Sequence, residues 1–315
     1  MKKVFSILTV ATLLSSAVIA NEHSTSHWGY TGHNSPESWG HLSEKYHQCS
    51  DGLNQSPINI TYSIVDSHHL PLNLDYKKGS KEVINNGHTV QVNVESGDIL
   101  MVDGKRFELK QFHFHSPSEN QIDGKSFPLE AHFVHVDKDG NIAVVAIMFI
   151  EGEENKELAK IWKVMPEKEG KVPLNIKEIA TNLIPEKQHY YRFNGSLTTP
   201  PCTEGVRWFV LEKPLTISKA QIEKFQHIMQ HPNNRPVQPI NARIIIKEYI
   251  EVIIEDFTLL IHFNMTPPIE DEVVSTEEVT TAEDIETTDT TVDTSTDDVE
   301  ENIESNSIDD DDLDI

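Results

Sequence analysis

Between residues 21 and 248 the apolar residues come in short runs of roughly alternating character, cut by Gly, Asn and Pro at 82–84, 89–94, 99–102, 107–115, 130–136, 142–150 and 206–211. Runs of this length and period expose one face and bury the other only as β-strands. Several of them in succession, with turn residues between, predict a large, mostly antiparallel sheet. Helical spacing is confined to 155–162, 177–184 and 218–229, the last with Ser218 as an N-cap three residues before Gln221. Helices so few decorate a sheet and do not alternate with its strands, which excludes a doubly wound α/β fold. No internal repeat is evident.

The two ends differ from this middle. Met1-Lys2-Lys3 precedes an apolar run over 4–17 and then Val18-Ile19-Ala20, the charged, apolar and small-residue parts of a secretory signal with cleavage expected after Ala20. The run is too short for a transmembrane anchor. An exported chain meets oxidising conditions, in which its two cysteines, Cys49 and Cys202, can persist as a disulfide. Segment 249–263 is apolar but interrupted by Glu251, Glu255 and Asp256, so it suits an extra strand or a docking helix and not a membrane span. Over 264–315 the composition turns to Thr, Glu, Asp and Ser; from Glu270 onward there are 20 acidic residues and no Lys or Arg, against a net charge of −25 for the whole chain. That stretch is read as a solvated, disordered acidic tail, whose carboxylates either attract calcium or cationic surfaces weakly or simply keep the chain soluble. A globular part of nearly balanced charge offers no basic face for nucleic acid.

The sharpest local pattern is Gln111-Phe112-His113-Phe114-His115, followed by His132 in Leu129-Glu130-Ala131-His132-Phe133-Val134-His135. Residues i and i+2 of a strand share a face, so His113 and His115 project one way while Phe112 and Phe114 project the other. A neighbouring strand holding His132 completes a cluster of three imidazoles, the ligand set of a catalytic zinc whose fourth position takes water. Gln111 and Glu130 are placed to hold the second ring nitrogens. Spacing alone also admits ordinary strand histidines of mixed exposure.

Further motifs follow in a fixed order: His27-Trp28-Gly29-Tyr30, Asn54-Gln55-Ser56-Pro57-Ile58-Asn59-Ile60, Asn85-Asn86-Gly87-His88, Ser118-Glu119, Gly195-Ser196-Leu197-Thr198-Thr199-Pro200-Pro201, Arg207-Trp208 and Asn234-Arg235-Pro236-Val237-Gln238-Pro239. With the histidine motifs they resemble the α-class carbonic anhydrases of the bacterial, secreted type over about 28–247. The resemblance implies a single mainly β (α+β) domain, a twisted sheet of about ten strands with peripheral short helices, and zinc in a conical cleft. It implies that His113, His115 and His132 bind Zn2+ with Gln111 and Glu130 behind them, and that zinc-bound hydroxide converts carbon dioxide to bicarbonate.

The same resemblance assigns further roles. Thr198 donates a hydrogen bond to an ionised Glu119 and accepts one from the nucleophile, and His88 exports the proton through waters ordered by Tyr30 and Asn86. Val134, Val144, Leu197, Thr199 and Trp208 line the substrate pocket. Cys49 and Cys202 pair, and Ser56-Pro57 and Pro200-Pro201 are cis. Phe193 stands where many relatives have Tyr. A homodimer is common among the bacterial relatives, though no sequence feature here establishes one. The alternative is a catalytically silent binding module, but such relatives typically lack a zinc histidine and this chain keeps all three.

Overall fold

The computed structural model describes residues 27–61, 63–66 and 72–248. The expected signal at 1–20, the 249–263 segment and the acidic 264–315 tail lie outside them. Within them a 13-stranded sheet runs in the order Gly170–Pro173, Ser80–Asn85, Val90–Val94, Lys105–His115, Leu129–Val136, Ile142–Glu151, Glu204–Leu211, Tyr190–Ser196, Ile246–Glu248 and Ile64–Asp66. Ile99–Val102 branches from Lys105–His115 and carries Asn73–Asp75 on its other edge, and Leu215–Ile217 pairs with Ile142–Glu151. Asn59–Ile60 and Gln121–Ile122 form a separate two-stranded sheet.

Most pairings in the large sheet are antiparallel, as expected. Ile142–Glu151 is parallel to both Glu204–Leu211 and Leu215–Ile217, and Ile246–Glu248 is parallel to Ile64–Asp66. The sheet exceeds the expected ten strands because strands of three or four residues, such as Leu215–Ile217 and Gly170–Pro173, are too short to show a period.

The two faces of the central strands have opposite characters. Phe112, Phe114, Ala131, Phe133, Val145 and Ile147 enter the main core with Leu158, Ile161, Trp162, Ile222 and Phe225 from two helices, Lys156–Trp162 and Lys219–Met229. Phe112 stacks on Phe133 at 4.8 Å, and Phe114 meets Trp162 edge-on at 4.9 Å. Each such ring contributes on the order of 2 kcal/mol by leaving water. That burial offsets the cost of the other face, where Gln111, His113, His115, Glu130 and His132 are buried and polar.

The expected helices form, the last with the expected cap at Ser218 and the first with a cap at Asn155 that was not expected. Asn155 accepts from the amides of Glu157 and Leu158, and Ser218 and Gln221 close a capping box. The third is shorter than 177–184: Ile179–Asn182 follows Glu178, whose left-handed φ of 55° stops it extending backwards. Among the described residues no helix is long and apolar enough to cross a membrane. Cys49 and Cys202 are joined across 153 residues, packed with buried Trp39. Ser56-Pro57 and Pro200-Pro201 are cis, as expected, and so is Ser116-Pro117, which was not.

Candidate active site

Register brings the histidines together. His113 sits directly opposite His132, His115 opposite Glu130, and Gln111 opposite Val134, after a bulge between Leu109 and Gln111. Ring centroids are 5.0 Å apart for His113 and His115, 5.3 Å for His113 and His132, and 4.6 Å for His115 and His132. One ligand atom from each ring lies within 4.8 Å of the others.

Two of the three outward nitrogens are held by acceptors. His113 Nδ1 is 2.9 Å from Gln111 Oε1, and His115 Nδ1 is 2.7 Å from the carbonyl oxygen of Asn233. A carbonyl oxygen only accepts, so both Nδ1 atoms carry the proton and both Nε2 atoms are bare. On the third ring Nε2 lies 3.0 Å from Glu130 Oε1, outside hydrogen-bond geometry. His132 Nδ1 instead shares Glu119 Oε2 with His115 Nε2, at 3.9 and 3.5 Å. Burial keeps the rings neutral: it pushes His115 down to about 4 and, with neighbouring imidazoles adding to it, holds His113 and His132 well below the usual histidine range.

His113 Nε2 and His115 Nε2 have no hydrogen-bond partner among the described residues. Buried nitrogens left bare in this way are costly unless something else takes their lone pairs. Three neutral imidazoles converging in a buried site suit a zinc ion.

The acidic residues fasten this arrangement. Glu130 Oε2 accepts from the amides of Glu119 at 2.7 Å and Asn120 at 2.9 Å, and Oε1 accepts from Asn120 Nδ2 at 2.8 Å. Glu119 Oε1 accepts from the Arg235 amide at 2.8 Å. Burial pushes the Glu119 carboxyl up to about 8, against the pull of that amide and of the Thr198 hydroxyl. The buried Arg235 guanidinium donates to Gln55 Oε1, Ser56 O and Cys49 O, each at 2.8 Å, and lies over Trp39.

The loop carrying Thr198 and Thr199 is braced at both ends. Leu197 N donates to Thr203 O at 2.9 Å, Cys202 N donates to Thr199 O at 2.8 Å, and the disulfide ties Cys202 to Cys49. The Thr199 hydroxyl is buried and has no partner among the described residues. Val134, Val144 and Trp208 lie in one row across three strands, and with Leu197 they are buried. Trp208 meets His132 edge-on at 4.9 Å and donates to Ser196 O at 3.0 Å. Gly195 is required beside it, because a Cβ there would stand 2.1 Å from Ser56 Oγ. Phe193 stacks on Trp208 and brings no hydroxyl.

His88 sits in a turn whose shape Asn86 sets, its Oδ1 accepting from the amides of His88 at 3.0 Å and Thr89 at 2.9 Å. The His88 ring lies flat on Trp28, 3.8 Å away and within 11° of parallel. Burial, with His27 and His231 nearby, depresses it from 6.5 to about 4. Tyr30 packs against Trp39, and burial together with the Glu119 carboxylate keeps its phenol protonated.

The structure thus gathers the expected ligands, their supports and the apolar wall on one face of the sheet. Asn233 and the side chain of Arg235 were missed: their partners lie 118 and up to 186 residues away, beyond any spacing rule. The Asn234-Arg235-Pro236 motif was the one signal that pointed there.

A model of the eukaryotic-type carbonic anhydrases matches residues 34–249. A carbonic anhydrase of Pectobacterium atrosepticum is 49% identical over 243 residues, covering 76% of this chain and 98% of that protein. One of Neisseria gonorrhoeae is 52% identical, covering 76% and 94%. The α-carbonic anhydrase of Thermovibrio ammonificans, solved with the inhibitor sulfanilamide, superposes with a TM-score of 0.69 at 51% identity, covering 70% of this chain and 99% of that one. A family match over most of the described residues, about half the sequence shared with these relatives and the superposition leave one assignment: the chain belongs to the eukaryotic-type, or α, carbonic anhydrase family and is an enzyme of that class.

Proposed function

We propose that the chain hydrates carbon dioxide reversibly at a zinc centre formed by His113 Nε2, His115 Nε2 and His132 Nδ1. The observation that carries this is the convergence of three buried, neutral imidazoles beside an apolar wall. A zinc ion held there supplies Lewis-acid activation of water as the nucleophile.

The chain's own residues do the rest. Gln111 and the Asn233 carbonyl fix two of the rings, with Glu130 beside the third, and so set the direction of their lone pairs. Where Glu119 is ionised, on the alkaline side of its raised pKa, the Thr198 hydroxyl spends its one proton there and keeps only lone pairs toward the site, so the nucleophile donates to Thr198 and turns its own lone pair away. Val134, Val144, Leu197 and Trp208 hold a small apolar substrate without competing hydrogen bonds, with Thr199 beside them. His88 carries the released proton outward along waters ordered by Tyr30 and Asn86. An exported setting, periplasmic or secreted, is supported by the disulfide and by the leader-like pattern of 1–20.

The test is stopped-flow carbon dioxide hydration with the zinc content of the same samples, comparing the native chain with His132→Ala. Native turnover with bound zinc, both lost in the variant, is expected. Bound zinc without turnover in the native chain refutes the reading.

A further inference from the structure

The rim of the site on the Trp28 side carries three imidazoles. His27 lies 5.9 Å from His88, and His231 lies on the far side of Tyr30, 6.1 Å from the phenol ring. His231 belongs to the segment that grips the site from behind. Two residues on, Asn233 accepts from His115 Nδ1 through its carbonyl and donates through Nδ2 to the carbonyl of His88 at 3.0 Å. Asn233 thus joins the ligand face to the His88 turn, two residues along the chain from His231. Its Nδ1 is 2.9 Å from Pro232 O, an acceptor only, so Nδ1 carries the proton and Nε2 is the basic atom.

His88 alone is poorly suited to the whole task. Its ring is half-buried beneath Trp28, and burial plus the imidazoles of His27 and His231 make it a weak base. A proton acceptor works best when its pKa lies near the operating pH. The groups facing the rim are His27, His88, Tyr30 and, against the turn at Gly87, the carboxylate of Glu169. His231 is partly open to solvent, where a buffer base can reach it.

We propose that His231 is a second proton-relay residue, taking through Nε2 the proton that hydration releases and passing it to buffer in parallel with His88. Water and carbon dioxide give bicarbonate and one proton; that proton crosses solvent to the neutral imidazole, forms imidazolium, and leaves to a buffer base, restoring the ring. The inference rests on the hydration reading above.

The test is stopped-flow hydration by the full chain and its His88→Ala, His231→Ala and doubly substituted forms, with buffer concentration varied. His88→Ala and His231→Ala are each expected to lower kcat by about threefold, and the double variant by about 100-fold or more, the range a lost proton-transfer group commands. In all of them kcat/KM for carbon dioxide should stay unchanged, and added imidazole should restore kcat in the double variant. His231→Gln, close in size and polarity, should behave as His231→Ala does. A double variant no slower than His88→Ala overturns the proposal while leaving hydration intact. A fall in kcat/KM overturns it in favour of a structural role, and a zinc-loaded native chain without turnover overturns both readings.

Discussion

Replacing Glu130 by Gln changes almost no volume and reverses the polarity of one atom. The native carboxylate faces three donors, the amides of Glu119 and Asn120 on Oε2 and Asn120 Nδ2 on Oε1, with His132 Nε2 3.0 Å from Oε1. A carboxylate can accept from all three, whereas a glutamine must turn an NH2 toward one side. Facing Oε2, it opposes two backbone amides that cannot move aside. Facing Oε1, it forces Asn120 to flip, but Asn120 Oδ1 already accepts from the Ile58 amide at 3.1 Å, so that amide loses its partner. At least one buried donor is orphaned either way, at a cost of about 1–3 kcal/mol. His132 loses the carboxylate beside its Nε2, which should weaken zinc binding about 10- to 100-fold. Urea unfolding of the metal-free proteins measures the first effect and competition with a chelator the second, both on the alkaline side of neutral pH. A variant within about 0.5 kcal/mol of native, the range of an inconsequential surface change, and with unchanged zinc affinity would refute the reasoning.

Two other perturbations separate packing from covalent and electrostatic effects. Substituting Ser for both Cys49 and Cys202 opens a closure of 153 residues, and the chain-entropy model puts the loss at up to about 5 kcal/mol; an unchanged denaturation midpoint would contradict it. His135 is buried, with Nδ1 toward Ala143 O and Nε2 toward the Tyr76 hydroxyl, and burial depresses it from 6.5 to about 4. Its folded pKa lies below its unfolded one, so the unfolded chain binds the proton first: stability is complete above 6.5 and falls as pH drops through 4. The loss is at most about 3 kcal/mol. Unfolding free energies of native and His135→Gln chains across that window should converge at the acid end, and parallel curves would sink the idea.

What could be read without coordinates was local. The alternation that puts Phe112 and Phe114 in the core and His113 and His115 in the site has a period of two residues, and the cap at Ser218 depends on Gln221 three residues on. Tyr190–Ser196 escaped notice because Arg192 answers to Asp103, 2.8 Å away, and Gly195 to the close approach of Ser56, so neither follows a hydrophobic rhythm. Asn86, read as a water-ordering residue, also shapes through its Oδ1 the turn that presents His88. The depressed basicity of His88 comes from Trp28, His27 and His231, which meet it only in the folded chain.

The facing of His113 with His132 has a consequence at the level of the gene. Ligands and core occupy opposite sides of the same two strands, Lys105–His115 and Leu129–Val136. Loss or gain of a single codon within either strand inverts its sides, sending aromatic rings toward the cleft and imidazoles into oil. Such an in-frame lesion therefore abolishes metal binding and folding in one stroke, while the same lesion in the intervening turn at Asp123–Gly124, on the surface, spares both. Variation in codon number among natural copies should accordingly cluster in that turn and be absent from the strands on either side of it.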